Sequence, residues 1–333
     1  MKKASIVVSS YYKNNGLFDL ENKFLNRDDC LRPFYQLKKY FDERGYELNT
    51  DDINRPSESD IVIYNEMPKK LSGIEREKSF LLLFESELVR PDNWNVNHHK
   101  LFDKVFTWND NFVDNKLYFK FNFANTFKIT SPTLDGREKL ACLISGNKTS
   151  THEKELYSER LKTIKWFEKN QKEHFDYYGI GWDKYNFGSQ FIGKVLNKLG
   201  LYSIIPSRQT PCYKGLVEKK HKTLQQYKFN ICYENARDIQ GYITEKIFDA
   251  MFAGCIPVYW GPANIDEHVN SNCFVDRRKF SSNEELFQYL STISDDELLK
   301  IQENILEYLK SDKALKFSDD YFAKNIVDTI LNI

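Results

Sequence analysis

No stretch of this 333-residue sequence reaches the roughly 18 consecutive apolar residues that cross a bilayer. Net charge is missing as well, because 48 lysines and arginines balance 48 aspartates and glutamates. A protein without a global electrostatic field has nothing to draw it onto a polyanion. The sequence therefore predicts no nucleic-acid partner, and any anion that the protein binds has to be met by cations placed locally.

Closely paired cysteines are also missing. The six cysteines are widely scattered, and none lies in a C-x-x-C pair or near a histidine at metal-ligand spacing, which is typical of reduced, mostly buried thiols in an intracellular protein. The apolar stretch near the N-terminus is too short and too polar for a secretory signal, and it predicts a first strand instead. We therefore expect a cytoplasmic protein, with any membrane association limited to the surface.

Apolar and aromatic residues, by contrast, are plentiful. Hydrophobic residues make up 41% of the chain and aromatic residues 15%, which is enough for a substantial core. Short apolar runs, the pattern of parallel strands covered on both faces, alternate with segments of helical periodicity, and this alternation predicts an α/β fold. The runs are DIVIY (60–64), FLLLF (80–84), KVFT (104–107), LACLI (140–144), YKFNICY (227–233) and IPVY (256–259).

The length, about twice that of a typical domain, favours two such units. The cluster SPTLDGRE (131–138) combines Ser, Pro, Asp and Gly as linkers do. We therefore predict an N-terminal domain over residues 1–134, a C-terminal domain over residues 135–310 and a helical tail over residues 311–333. The tail has an apolar face but is too acidic for a strong anchor, so we expect at most weak peripheral contact with a membrane.

The segment from residue 227 to residue 261 carries the densest cluster of candidate site residues. Its strand ends at Asn235, Tyr242 follows in a loop, and Glu245 and Lys246 stand at the start of a helix. A lysine near the positive end of a helix is unfavourable, so Lys246 favours a bound anion such as phosphate. The carboxylate of Glu245 can accept hydrogen bonds from a ribose diol. The alternative is a surface helix whose Glu and Lys are merely solvated.

The same segment resembles the C-terminal signature of the α-1,3/4-fucosyltransferases, glycosyltransferase family ten. The matching motifs are CYEN (232–235), GYITEK (241–246) and AGCIPVYWG (253–261). The resemblance implies a GT-B fold, in which two Rossmann-like domains face a cleft and the C-terminal domain binds the donor, GDP-fucose. The N-terminal half resembles the family in outline only.

The resemblance also implies roles for individual residues. Glu245 would hold the ribose and Lys246 the diphosphate, while Tyr242 and Asn235 would surround the rest of the donor. These roles agree with the helix-start argument made from the residues alone.

One family residue, an arginine that helps to bind the diphosphate, has no direct counterpart. The corresponding stretch offers Lys154 or Glu153 at that place, with Arg160 a little farther on, and we expect Lys154 or Lys148 to substitute. Because arginine and lysine are not equivalent at a phosphate site, this departure leaves the identity of the donor sugar open.

Inverting transfer in one displacement also requires a base that takes the proton from the acceptor hydroxyl. The strand 80–84 delivers Glu85 at its carboxyl end, where a ligand cleft is expected. Family members have their proposed base in a similar context, which implies that Glu85 is the general base. Glu87 competes with it, because residues two apart in a strand point the same way. Without the resemblance, Glu85 would be interpreted as an ordinary strand-end acid.

No D-x-D pair, the metal-binding signature of the other large glycosyltransferase fold, occurs in the chain, so the sequence predicts a metal-independent enzyme without a cofactor. We expect it to move L-fucose from GDP-fucose to a hydroxyl, with O3 favoured, of an N-acetylglucosamine or glucose unit in a glycan acceptor. Two alternatives stay open. One keeps the fold and mechanism with another nucleotide-sugar donor, and the other is a non-catalytic glycan- or nucleotide-binding protein.

Overall fold

In the computed structural model, which describes residues 1–185, 187–188, 190–200 and 210–333, the chain divides into two compact units. The first unit comprises Met1–Phe127, Gln240–Glu245 and Asp312–Ile333, and the second comprises Lys128–Ile239 and Lys246–Ser311. Each unit contains one parallel sheet with helices between its strands. The prediction of two Rossmann-like α/β domains is confirmed.

The regular elements alternate along the described residues. The strands are β1 (Lys2–Val7), β2 (Tyr46–Thr50), β3 (Ile61–Asn65), β4 (Ser79–Leu83), β5 (Lys104–Thr107), β6 (Tyr118–Lys120), β7 (Lys139–Ile144), β8 (Phe175–Tyr178), β9 (Tyr227–Tyr233), β10 (Ile256–Trp260) and β11 (Val275–Asp276). The helices are α1 (Arg32–Glu43), α2 (Val96–His99), α3 (Tyr157–Asn170), α4 (Phe191–Lys198), α5 (Lys220–Leu224), α6 (Glu245–Phe252), α7 (Ile265–His268), α8 (Asn283–Thr292), α9 (Asp295–Leu309), α10 (Asp312–Leu315) and α11 (Asp319–Leu331).

The sheet of the first unit has the spatial order β2–β1–β3–β4–β5–β6. Its register sets Ala4 beside Ile61 and Leu82 beside Phe106. Every residue of β4 is buried, because an inner strand of a doubly wound sheet is covered on both faces. This burial fixes the strand whose carboxyl end leads to Glu85.

The sheet of the second unit has the order β11–β10–β9–β7–β8. Its register sets Val258 beside Ile231 and Cys142 beside Asn230. Helix α6 connects β9 to β10, and Gly254 after it adopts a left-handed conformation (φ +67°), as expected for a glycine that ends a helix. The motif-bearing segment thus forms a strand–helix–strand unit of this sheet.

The predicted linker at residues 131–138 is instead packed into the second unit, so the boundary falls after Phe127 and not after residue 134. Arg137 is only 4% exposed, and its guanidinium donates to the carbonyl oxygens of Tyr227 (2.9 Å) and Leu224 (3.3 Å). The amide of Thr133 donates to the side-chain oxygen of Gln302 (2.8 Å). A cluster of Ser, Pro and Gly is as typical of a turn-rich loop within a domain as of a linker between domains. Here, buried contacts make the segment an ordered part of the second unit.

The predicted separate tail also belongs to a unit. Helix α11 is part of the first unit, and its buried Phe322 lies against Phe34 and Phe121, with ring centroids 6.1 Å and 5.8 Å away. Arg44 pairs with Asp328 at 2.9 Å. The apolar face of this helix is therefore covered within the first unit, which removes the basis for the predicted contact with a membrane.

Among the described residues, no helix has both the length and the apolar composition that crossing a bilayer requires.

The thiols are placed as the sequence predicts for reduced, mostly buried cysteines. All six cysteines are free, Cys30 is exposed, and the other five are buried: Cys142, Cys212, Cys232, Cys255 and Cys273.

Candidate functional site

The carboxyl ends of β7 and β9 form the centre of the candidate site in the second unit. These strands are neighbours, and the chain continues from them to opposite sides of the sheet, through β8 on one side and β10 on the other. In open parallel α/β sheets, ligands bind beyond the carboxyl ends of the strands at this switch point. The loops after β7 and β9 are therefore the candidate ligand-binding loops.

These two loops contact each other through their backbones. The amide of Leu156 donates to the carbonyl oxygen of Asn235 (3.0 Å), and the amide of Arg237 donates to the carbonyl oxygen of Lys154 (2.9 Å). The structure thus brings Lys154 and Asn235 together, as two residues predicted to bind one donor require. Lys148 lies exposed in the loop after β7.

Arg160, near the start of α3, fixes the side chain of Asn235. It is 4% exposed, and one guanidinium nitrogen donates to the carbonyl oxygen of Tyr233 (2.5 Å) and to Oδ1 of Asn235 (3.1 Å). The planar guanidinium suits two acceptors at fixed positions. Sequence reasoning considered Arg160 only as a distant stand-in for the family's phosphate-binding arginine, whereas the structure gives it a role in orienting Asn235.

Lys246 lies in the first turn of α6, where the helix dipole disfavours a cation. Its Nζ is 3.2 Å from Oε2 of Glu234, which is fully buried directly after β9. Oε1 of the same carboxylate accepts a hydrogen bond from the hydroxyl of Tyr259 (3.0 Å). The carboxylate of Glu234 is therefore an anion within the protein that offsets the unfavourable interaction of Lys246 with the helix dipole. It also orients the side chain of Lys246, which is 22% exposed.

Tyr242 and Glu245 belong to the first unit, through the segment Gln240–Glu245. Tyr242 is 2% exposed, and its ring centroid lies 4.6 Å from that of Trp108. Glu245 is exposed at the first position of α6. Aromatic packing accounts for the buried tyrosine, so the contacts of Tyr242 and Glu245 with a donor stay predictions.

Gly241 sets the path of that segment. Its φ is +76°, and a Cβ there would lie 2.4 Å from the carbonyl oxygen of Trp108. The amide of Asp110 donates to the carbonyl oxygen of Gln240 (3.2 Å). Only glycine combines this conformation with so close an approach to another backbone.

Glu85 follows β4 in the first unit and is exposed, while its backbone is held on both sides. Its amide donates to Oε1 of Glu66 (2.9 Å), and its carbonyl oxygen accepts a hydrogen bond from the indole of Trp94 (3.0 Å). Glu87 is also exposed. Both predicted carboxylates therefore reach solvent near the end of an inner strand, and the main chain of Glu85 is fixed in place.

Sequence reasoning assigned no role to Glu66 or Glu234, although each directly follows a central strand. Partial burial raises the pKa of Glu66 to about 7, and the charge of Glu85 raises it as well. Carboxylates are rarely buried unless they are paired with another group. The position of Glu234 directly after an apolar strand was therefore a sequence signal that this residue has a partner. Its partner could be identified only from the fold.

Metal binding has no support from side-chain clusters in the part of the chain that the structure describes. There, His, Cys, Asp and Glu form no group of three or more that could hold a metal ion. The proposed independence of metals and cofactors stays a prediction.

Comparisons with known proteins support the resemblance. A family model described as glycosyltransferase family 10 (fucosyltransferase), C-terminal, matches residues 193–324. The α-(1,3)-fucosyltransferase FucT of Helicobacter pylori is 42% identical over 74 residues, which are 22% of this chain and 15% of that protein. The mouse 4-galactosyl-N-acetylglucosaminide 3-alpha-L-fucosyltransferase 9 is 23% identical over 308 residues, which are 86% of this chain and 73% of that protein.

The fold is also similar to solved structures. A crystal structure of an α1,3-fucosyltransferase with GDP-fucose has a TM-score of 0.54 at 17% identity, covering 99% of this chain and 90% of that one. At this identity the likeness concerns the fold, which is of the GT-B class.

Proposed function

We propose that this chain, whose residues 193–324 match the C-terminal model of glycosyltransferase family 10 (fucosyltransferase), transfers L-fucose from GDP-fucose to a glycan. The acceptor is a hydroxyl, with O3 favoured, of an N-acetylglucosamine or glucose unit. The observation that carries the proposal is the ordered set of motifs CYEN, GYITEK and AGCIPVYWG. The first of them ends strand β9 at the switch point, beside the loop that contains Lys154.

Donor binding uses residues of the loops after β7 and β9 and of the start of α6. Lys246 and Lys154 meet the diphosphate, Asn235 contacts the donor in the orientation that Arg160 imposes, and Glu245 accepts hydrogen bonds from the ribose. Cations at the diphosphate stabilise the charge that develops on the leaving group as the bond to the sugar breaks.

Proton transfer is the task of Glu85. Its carboxylate takes the proton from the acceptor hydroxyl while the oxygen forms a bond to the anomeric carbon and the bond to the diphosphate breaks, which releases GDP. A single displacement inverts the anomeric centre.

Product analysis tests the activity. The purified chain is supplied with GDP-fucose and an array of glycan acceptors, and mass spectrometry identifies products that gain one deoxyhexose. A parallel panel of GDP-, UDP- and CMP-sugars reports donor hydrolysis. Turnover with another donor alone would favour the alternative donor, and no turnover with any pair would favour a binding protein.

The base is tested by Glu85→Gln, with Glu87→Gln as the matched control two residues away. We expect Glu85→Gln to lower kcat by about 10²–10⁴-fold while GDP affinity, measured by calorimetry, is unchanged. Glu87→Gln should retain wild-type turnover. The reverse pattern would assign the base to Glu87, and loss of GDP affinity in Glu85→Gln would indicate a structural role.

A further inference from the structure

Glu66 is a half-buried carboxylate that the proposed reaction does not use, although it touches the main chain of the proposed base. It follows β3, the strand beside β4. Its Oε1 accepts hydrogen bonds from the amides of Phe84 (3.2 Å) and Glu85 (2.9 Å), and its Oε2 accepts one from the side-chain amide of Asn93. A single carboxylate thus ties the end of β4 to the turn that contains Asn93.

Asn93 completes the hold on Glu85. It is fully buried, its amide nitrogen also lies 3.3 Å from the carbonyl oxygen of Glu85, and its Oδ1 accepts a hydrogen bond from the amide of Met67 (3.0 Å). Nε2 of His99 lies 2.7 Å from the carbonyl oxygen of Asn93. The amide and carbonyl groups of Glu85 are therefore both bonded to a network that Glu66 organises.

The backbone of Glu66 itself is strained. Its φ is +77°, a left-handed conformation that is unfavourable for a glutamate. Such strain persists only where the surroundings impose it, and it is concentrated at functional sites. The conformation allows the Glu66 amide to donate to Leu82 of β4 (3.0 Å) while its side chain reaches the amides beyond that strand.

We propose that Glu66 is a positioning residue for Glu85, and that its carboxylate fixes the main chain from which the base reaches the acceptor hydroxyl. This inference rests on the proposed function.

Glu66 faces Glu85, the Arg90–Asp92 ion pair and, through Asn93, the ring of His99. Its pKa is raised to about 7, and an ionised carboxylate accepts N–H hydrogen bonds more strongly than a neutral one. Transfer should therefore rise as the pH passes through about 7.

Two substitutions separate the carboxylate from its surroundings. Glu66→Gly removes the side chain while glycine adopts positive φ without strain, so the main chain keeps its path. Glu66→Gln retains an acceptor oxygen but cannot ionise. Glu77→Gln, at an exposed position before β4, serves as the control. Hydrogen exchange of the Phe84 and Glu85 amides is measured together with kcat, the KM for the acceptor and GDP affinity.

We expect exchange of these two amides to become at least about tenfold faster in Glu66→Gly. Its kcat should fall about hundredfold with GDP affinity unchanged, as misplacement of a catalytic group predicts. Glu66→Gln should recover only part of the exchange protection and of kcat, because its oxygen can accept from the Phe84 and Glu85 amides while its NH2 group cannot accept from Asn93. It should also lack the rise in transfer near pH 7.

Wild-type exchange and kcat in Glu66→Gly would overturn the inference. Faster exchange throughout the first unit, with GDP affinity lost in parallel, would also overturn it by showing a general structural role. If instead Glu85→Gln transfers fucose normally, the proposed base is wrong, and the exchange of the Phe84 and Glu85 amides still decides whether Glu66 fixes that backbone.

Discussion

The ion pair between Lys246 and Glu234 allows a diphosphate contact to be distinguished from a purely structural role. Lys246→Met keeps most of the apolar stem but removes the ammonium, so the fully buried carboxylate of Glu234 loses this ion-pair partner. Glu234→Gln removes the charge and retains an oxygen that can accept from the hydroxyl of Tyr259. The double substitution leaves neither charge.

The geometry sets the magnitudes. Removing one partner of a buried ion pair costs about 3–5 kcal/mol, and because the lysine side chain is 22% exposed we expect about 3 kcal/mol for Lys246→Met. In Glu234→Gln the ammonium can return to water, so we expect about 1 kcal/mol. The double variant buries no unpaired charge and should also lose about 1 kcal/mol, which gives a coupling energy of about 3 kcal/mol.

Two measurements are made on the wild-type protein, the two single variants and the double variant. Hydrogen exchange of β9 and β10 in low urea reports the stability of the second unit, with β4 of the first unit as an internal reference. Calorimetry reports GDP affinity. Loss of a charge-assisted contact worth about 2 kcal/mol should weaken GDP binding roughly thirtyfold in Lys246→Met. The double variant should regain stability but not affinity.

Recovery of GDP affinity together with stability in the double variant would refute the diphosphate contact, because Lys246 would then act only by neutralising Glu234. Wild-type stability of Lys246→Met would refute the buried-pair argument itself. The diphosphate contact and the buried ion pair are therefore tested independently.

Two further substitutions test local geometry. Arg160→Lys keeps the charge but loses the guanidinium that orients Asn235, so GDP binding measured by calorimetry should weaken about tenfold. Unchanged affinity would show that GDP binding does not depend on the orientation that Arg160 gives Asn235. Gly241→Ala should cost about 2 kcal/mol more in unfolding free energy than Gly136→Ala. Their φ angles are alike (+76° and +74°), but only Gly241 approaches another backbone, so equal costs in thermal unfolding would contradict the steric argument.

The inner strands could be predicted because both of their faces are covered. The runs DIVIY and FLLLF lie within one residue of β3 and β4, and YKFNICY coincides with β9. The strands that sequence reasoning missed, β2, β6, β8 and β11, lie at sheet edges and are short or rich in polar residues. An edge strand pairs on one side only, so it does not produce a continuous apolar run.

The candidate site could be predicted only in part. The motifs located Asn235 and Lys246, because these residues lie in one contiguous segment of recognisable pattern. Glu66 and Glu234 could not be assigned, because their partners depend on which strand ends are neighbours in the sheets.

By itself, the sequence determined the α/β class, the inner strands and the family motifs, since these depend on local periodicity and contiguous residues. Only the tertiary structure decided that residues 312–333 join the first unit and that Arg137 anchors the predicted linker in the second. It alone decided that Glu66 binds the main chain of Glu85 and that Glu234 pairs with Lys246. Each of these features rests on contacts between residues distant in the chain, which no local pattern encodes.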